Sequence, residues 1–136
     1  MKLPTENLEA LLIVLFLIVT FGISLIEKLD NLKETISYIS EIFKTSFIRN
    51  FVKPLITILM LLEVLTLFFL VVGIFQLYFQ NEKEMALLGI VFSCFSIIYM
   101  LIGQRIAKDY PGATSLTIYF ILSIFGIYIL NSQPLV

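Results

Sequence analysis

The chain of 136 residues is too apolar for an ordinary soluble domain, because 60% of it is hydrophobic and only 14% is charged, against roughly 45–50% and 25% in globular proteins. Its formal net charge of −1 offers no electrostatic basis for a nucleic-acid partner. Histidine is absent and Cys94 is the only cysteine, which excludes disulfides within the chain, two-thiol redox motifs and histidine-ligated haem or metal. We therefore expect an integral membrane protein that holds no metal and no cofactor of its own.

Four apolar segments follow one another along the chain, at about 8–26, 54–79, 85–107 and 114–130. Each is close to the roughly 20 residues that a helix needs to cross hydrocarbon. Runs such as LLIVLFLIV do not alternate in polarity, which argues against a transmembrane barrel. The sequence predicts an all-α membrane protein, a bundle of four transmembrane helices forming a single domain over residues 1–136. The start MKLPTENLEA lacks a basic leader region, so we expect the first helix to stay attached.

The connection between the first two spans is long enough for a helix of its own, at about 30–47. Apolar residues recur there every three to four positions and charged residues occupy the opposite face. This pattern predicts an amphipathic helix on the membrane surface, which either covers the bundle as a lid or forms a docking surface for a partner.

The basic residues predict the orientation. Most of them lie in the first and third connections, namely Lys28, Lys33, Lys44, Arg49, Lys53, Arg105 and Lys108, and the others are Lys2 and Lys83. By the positive-inside rule, these two connections face the cytoplasm and both termini lie outside. A bacterial inner membrane is the expected location.

A single acid, Glu63, interrupts the second apolar segment in the sequence LLEVL. Counted from Pro54, it lies about 14 Å into a hydrocarbon layer of about 30 Å. A carboxylate facing lipid at that depth costs at least a few kcal/mol, so we expect Glu63 to point into the bundle and to be neutral in the isolated subunit. Hydroxyl groups at a similar depth are its expected partners, in a structural polar cluster of Glu63, Thr20, Ser93, Ser96 and Ser123.

Three roles remain open for Glu63. It acts as glue between helices, as a proton-exchanging group, or as a contact with another subunit. If the chain has a catalytic residue, Glu63 is the candidate.

A second polar cluster is expected at the cytoplasmic boundary, where the first and third connections begin. It comprises Glu27, Lys28, Gln104, Arg105 and Asp109. Arg105 could pair with Glu27 or Asp109, or the cluster could bind an anionic headgroup or cofactor. The following Pro111-Gly112 predicts a turn before the last helix.

Several features of this sequence occur in a recognisable order. A first helix ends in FGISLIEKLDN, a connection reads YISEIFKTSFIRNFVKP, and Glu63 is followed ten residues later by Gly73. Together with GQRIAKDYPGATSL between the last two helices, this order resembles the DoxX family of small four-helix membrane proteins, of the type found in Bacteroidetes bacteria. By position, the family's Lys-Leu signature falls on Lys28 and Leu29 and its second-helix acid on Glu63, whereas Glu9 stands where members often have Arg.

The resemblance implies a bacterial inner-membrane protein, and some relatives are subunits of thiosulfate:quinone oxidoreductase or of other membrane oxidoreductase assemblies. The leading hypothesis is an accessory or anchoring subunit of a larger inner-membrane complex, linked to quinone and not catalytic on its own. Its partners would be the lipid bilayer and other membrane subunits. The alternatives are a stand-alone quinone-linked enzyme that uses Glu63 for protons, and a small transporter.

Overall fold

The computed structural model describes residues 8–80 and 82–132, except for the side chain of Arg49. Four long helices and one short one account for most of this part of the chain: α1 (Leu8–Asp30), α2 (Leu32–Ile42), α3 (Val52–Phe75), α4 (Glu84–Ile106) and α5 (Tyr110–Ser132). A short 3₁₀ turn, Arg49–Phe51, leads into α3, and a π-helical turn, Gln76–Gln80, extends it. Lys2, and with it the N-terminal end of the predicted orientation, lies outside the described residues.

The four long helices confirm the predicted all-helical membrane class. Each is long and apolar enough to cross a membrane, counting Val52–Gln80 as one span. At most 39% of the most apolar window of any span is buried by the rest of the protein. The remaining Leu, Ile and Phe side chains face outward, where only an apolar solvent accommodates so many of them. The structure therefore fits a multi-pass membrane protein.

The last helix begins earlier than the sequence analysis predicted. α5 starts at Tyr110, so Pro111 and Gly112 lie in its first turn and not in a turn before it. Asp109 makes this possible, because its Oδ1 accepts a hydrogen bond from the Gly112 amide at 3.1 Å, as an N-cap residue does. Proline tolerates the first turn of a helix, where its missing amide proton is not needed. The predicted turn at Pro111-Gly112 was wrong for this reason.

The long helices pack in the order α1, α3, α4 and α5, and α5 closes back on α1. Their shared core is apolar and includes Val14, Leu17, Leu70, Ile90 and Leu130, all fully buried. At the end of the protein that carries the α3–α4 connection, Lys83 Nζ donates to the Leu130 carbonyl at 3.0 Å. This bond satisfies one of the carbonyl groups that the end of α5 leaves free.

Glycine allows α3 and α4 to approach most closely near that same end. A Cβ atom added to Gly73 would overlap the backbone of Ala86, and one added to Gly89 would lie 2.8 Å from the Leu70 backbone nitrogen. Close backbone contact at small residues is how membrane helices gain packing energy without a hydrophobic driving force between them.

The short helix α2 lies at the opposite end of the protein. Ile36 and Ile39 pack against a small cluster of Phe43, Val52 and Ile56. None of the residues of α2 itself is buried. Its length is shorter than the predicted range of 30–47, because α1 continues to Asp30 and the chain turns after Ile42.

Candidate functional site: a buried ion pair and an adjacent cavity

Glu63 is fully buried within α3 and forms an ion pair with Lys28 of α1. The distance from Lys28 Nζ to Glu63 Oε1 is 2.8 Å, and the side chain of Lys28 is 15% exposed. Lys28 Nζ also donates to the Ser24 hydroxyl at 2.6 Å. The other carboxylate oxygen, Glu63 Oε2, has no hydrogen-bond partner among the described residues. The pair thus leaves a buried acceptor able to take one more hydrogen bond.

The antiparallel packing of α1 and α3 explains how a residue at the end of one helix reaches the interior of the other. Lys28 is two residues from the end of α1, whereas Glu63 lies well inside α3. Their contact leaves the first turns of α3 beyond the end of α1, where they pack against α2 instead. Further along the same two helices Gly22 faces Leu67, since a Cβ atom added to Gly22 would lie 3.9 Å from Leu67 Cδ2. The end of α1 and the start of α3 therefore lie at different levels, whereas counting residues from each helix end assumes that they lie at the same level.

The sequence analysis placed Lys28 in the boundary cluster and did not connect it with Glu63. A general rule could have predicted this ion pair, because charged groups inside a membrane protein usually pair with one another. Lys28 is also the cation nearest the end of the first span in sequence, and its long side chain can extend several ångströms along the helix. The ion pair gives Glu63 a counter-charge that the expectation of a neutral carboxyl group did not include.

The hydroxyl groups predicted as partners of Glu63 bond elsewhere. Thr20 donates to the Phe16 carbonyl at 2.8 Å. Ser93 and Ser123 likewise bond carbonyl groups one turn earlier in their own helices, Gly89 and Tyr119. Ser96 forms a hydrogen bond of 3.2 Å with Thr66, which joins α4 to α3. Ser93, Ser96 and Ser123 are fully buried, as is Thr66. The predicted polar cluster is therefore a set of separate contacts, and its partnership with Glu63 was wrong.

The predicted boundary cluster is also divided. Lys28 points to Glu63, and Asp109 caps α5. Arg105 lies over the ring of Tyr110, with its guanidinium carbon 5.0 Å from the ring centre. Gln104 accepts the amide of Asp109 through its backbone carbonyl at 2.9 Å. Among the side chains that the structure describes, Arg105 forms no ion pair with Glu27 or Asp109.

Tyr99 supplies a further contact that the sequence did not reveal. Its hydroxyl donates to the Leu55 carbonyl at 2.7 Å and so joins α4 to the first turns of α3. Leu55 is the residue after Pro54. This bond holds the part of α3 that extends beyond α1.

A cavity of about 260 Å³ lies beside the ion pair, between α1, α4 and α5. Ser24 belongs both to its wall and to the ion pair. The lining is mainly apolar and consists of Thr20, Phe21, Ile23, Ser24, Glu27, Ile97, Met100, Leu116 and Tyr119. Its volume is near the lower end of small-molecule sites, about 300–1,000 Å³. It could therefore hold a small ring or a short chain.

Comparisons with known proteins do not assign the chain to a family. No protein-family model matches the chain, no curated protein matches it, and no solved structure matches it.

Proposed function

We propose that this protein is an accessory or anchoring subunit of a larger membrane complex, as a four-helix bundle with α2 lying in the membrane interface. The observation that carries the proposal is the free surface around α2. No residue of this helix is buried, and the exposed fractions of Tyr38 and Phe47 are 69% and 82%. Large aromatic side chains exposed at a membrane interface are suited to anchor a neighbouring subunit.

The charges near α2 favour a protein partner over a strongly anionic lipid surface. The exposed Lys33 is followed directly by the exposed Glu34, and Lys44 is paired with Glu41 at 2.8 Å. Tight binding to anionic lipid usually needs a cluster of unpaired basic residues. A mixed surface with aromatic anchors is instead typical of contacts between proteins.

A photo-crosslinking experiment tests this proposal directly. A photoreactive amino acid replaces Tyr38 in one variant and Tyr128 in the other, since Tyr128 on α5 is equally exposed at 67%. We expect crosslinks from position 38 to a defined protein in native membranes, and crosslinks to lipid from position 128. The same protein should co-purify in a fixed ratio in mild detergent. Crosslinks to lipid alone at position 38 would contradict the subunit proposal.

The resemblance to the DoxX family suggests a link to quinone, and the cavity residues allow its fit to be tested. A quinone carbonyl needs hydrogen-bond donors. The hydroxyl groups of Tyr119 and Ser24 line the cavity and can donate, whereas the Thr20 hydroxyl already donates to the Phe16 carbonyl. Neither Lys28 nor Glu63 is among the lining residues. The lining therefore supplies hydroxyl donors but no cationic donor for a quinone carbonyl, and we propose that the quinone site of the complex lies in a partner subunit.

Proton handling at the ion pair is a second candidate function, favoured by the burial of Glu63. A proton can move along the 2.8 Å bond from Lys28 Nζ to Glu63 Oε1, leaving a neutral amine and a neutral acid. A medium of low dielectric stabilises the neutral form of such a pair more than water does. Intramembrane pairs of this kind often belong to proton paths.

Infrared difference spectroscopy tests the second candidate. A pH jump should change the carbonyl stretch of a protonated carboxyl group in the wild-type protein and not in Glu63→Gln. The Glu27→Gln variant provides the matched control, because Glu27 is an exposed acid on α1. If the band survives in Glu63→Gln, or no band titrates in the wild-type protein, Glu63 does not exchange protons.

We also propose that the connections carrying α2 and Lys108 face the cytoplasm of a bacterial inner membrane. The distribution of lysine and arginine supports this orientation. Accessibility labelling decides it, using single cysteines at Ser46 and Glu82 in a background where Cys94 is serine. We expect only the Glu82 position to react from the outside of intact cells.

A further inference from the structure

The cavity between α1, α4 and α5 is mainly apolar and has one charged residue in its lining. Glu27, in the last turn of α1, lines one end. Thr20 lines the cavity about 10 Å deeper, two turns earlier in the same helix. Ile97, Met100 and Leu116 contribute apolar side chains to the same lining. An amphiphile with a charged head at Glu27 and an apolar body beside Ile97, Met100 and Leu116 would match this lining.

The charge at the outer end of the cavity is negative. Lys28, the neighbour of Glu27 in sequence, does not compensate it, because its ammonium group bonds Glu63 and Ser24. The last turn of α1 also contains Asp30. Acids are unusual there, since the C-terminus of a helix already carries partial negative charge and favours cations. The carboxylate of Glu27 and the partial negative charge of the helix end therefore favour a positive ligand at this end of the cavity.

Aromatic rings line the same cavity. Phe21 and Tyr119 belong to opposite walls, on α1 and α5. The ring of Tyr119 also contacts Phe16, with centroids 6.1 Å apart, which holds it in place. Aromatic faces attract organic cations, and a carboxylate beside them strengthens the attraction.

From these observations we propose that the cavity is a binding site for a small amphiphilic organic cation, an ammonium group attached to an apolar ring or short chain. Glu27 receives the ammonium group, Tyr119 and Phe21 face it or the adjoining ring, and Leu116, Ile97 and Met100 hold the apolar body. This site is separate from the proposed docking surface at α2 and from proton exchange at Glu63.

Calorimetric titration of the purified full chain in nanodiscs of zwitterionic lipid tests the proposal. The probe is phenethyltrimethylammonium, and its neutral isostere has a carbon atom in place of the nitrogen. We expect the cation to bind about tenfold more tightly than the isostere. Glu27→Gln should weaken binding of the cation by a similar factor. Glu34→Gln removes an exposed acid of α2 outside the cavity and should leave the affinity unchanged.

A second pair of variants tests the location. Leu116→Phe places a larger side chain in the cavity wall and should weaken binding of the cation. Ile118→Phe makes a similar change on the outer face of α5, where Ile118 is 62% exposed, and should have no effect. Equal affinities for the cation and the isostere would overturn the proposal. So would an unchanged affinity in Glu27→Gln, or equal affinities in the two phenylalanine variants.

Discussion

Lys28 Nζ and Glu63 Oε1 lie 2.8 Å apart and join the last turn of α1 to the interior of α3. Two charged groups in such surroundings lose much of their solvation, and their mutual attraction often does no more than offset that loss. Thr66 and Ser96 join α3 to α4 with neutral hydroxyl groups, so adhesion between helices does not require an ion pair. We therefore expect the pair to contribute more to specificity or function than to net stability.

Removing one partner of this pair should be far more harmful than removing both. Lys28→Met leaves the Glu63 carboxylate buried without its cation, and we expect a loss of about 3–5 kcal/mol. The double variant Lys28→Met, Glu63→Leu should recover most of this loss. Thermal unfolding in detergent, followed by circular dichroism, measures both. A double variant no more stable than Lys28→Met would show that the pair itself stabilises the fold.

The exposed pair of Lys44 and Glu41 provides the contrasting case. Both side chains are largely exposed, so Lys44→Met should not change the melting temperature measurably. Glu41 raises the pKa of Lys44 above its usual value of 10.5 through a hydrogen bond and charge attraction. The small stabilisation is therefore complete below that value and is lost only as the pH rises through the raised pKa. Titration of Lys44 by NMR should show its pKa return towards the usual value in Glu41→Gln.

Gly73→Ala should separate α3 from α4 at the end that carries their connection. The added Cβ would overlap the Ala86 backbone, and backbone cannot move aside as a flexible side chain does. We expect a loss of about 1–3 kcal/mol. Gly103→Ala is the matched change in α4, and its Cβ would meet no atom of the described residues within 4 Å. That variant should gain about 0.5–1 kcal/mol, because alanine favours a helix over glycine. Similar melting temperatures for the two variants would contradict the close approach of α3 and α4.

Thr66→Val should cost about 0.6 kcal/mol, and at most about 1.7, which is the range for hydrogen bonds between membrane helices. The substitution keeps the shape of the side chain and removes both hydrogen bonds of the hydroxyl group, to Ser96 at 3.2 Å and to the Leu62 carbonyl at 2.7 Å. Thr57→Val is the control on the same helix, since Thr57 is exposed and, among the described residues, bonds only the Lys53 carbonyl. Comparing the two free energies of unfolding isolates the contact between helices. Equal costs would show that the bond to Ser96 contributes nothing.

The sequence by itself determined the membrane class and the positions of the four spans. Hydrocarbon thickness sets the length of a spanning helix, and the apolar composition of each segment reports its solvent, so neither depends on how the helices meet. A separate helix in the first connection was also predictable, because local periodicity indicates it, and α2 occupies Leu32–Ile42.

Only the tertiary structure decided which polar groups meet. The partner of Glu63 depends on how far α3 is shifted along its axis relative to α1. The shift leaves the start of α3 beyond the end of α1, where it packs against α2. Counting depth from each helix end placed Ser96 near Glu63 and Lys28 at the boundary, whereas the structure bonds Ser96 to Thr66 and Lys28 to Glu63. The cavity between α1, α4 and α5 arises in the same way, since it is bounded by residues that no local pattern connects. Sequence periodicity determines the face of a helix, but the relative shift of two helices is set by the packing of their side chains.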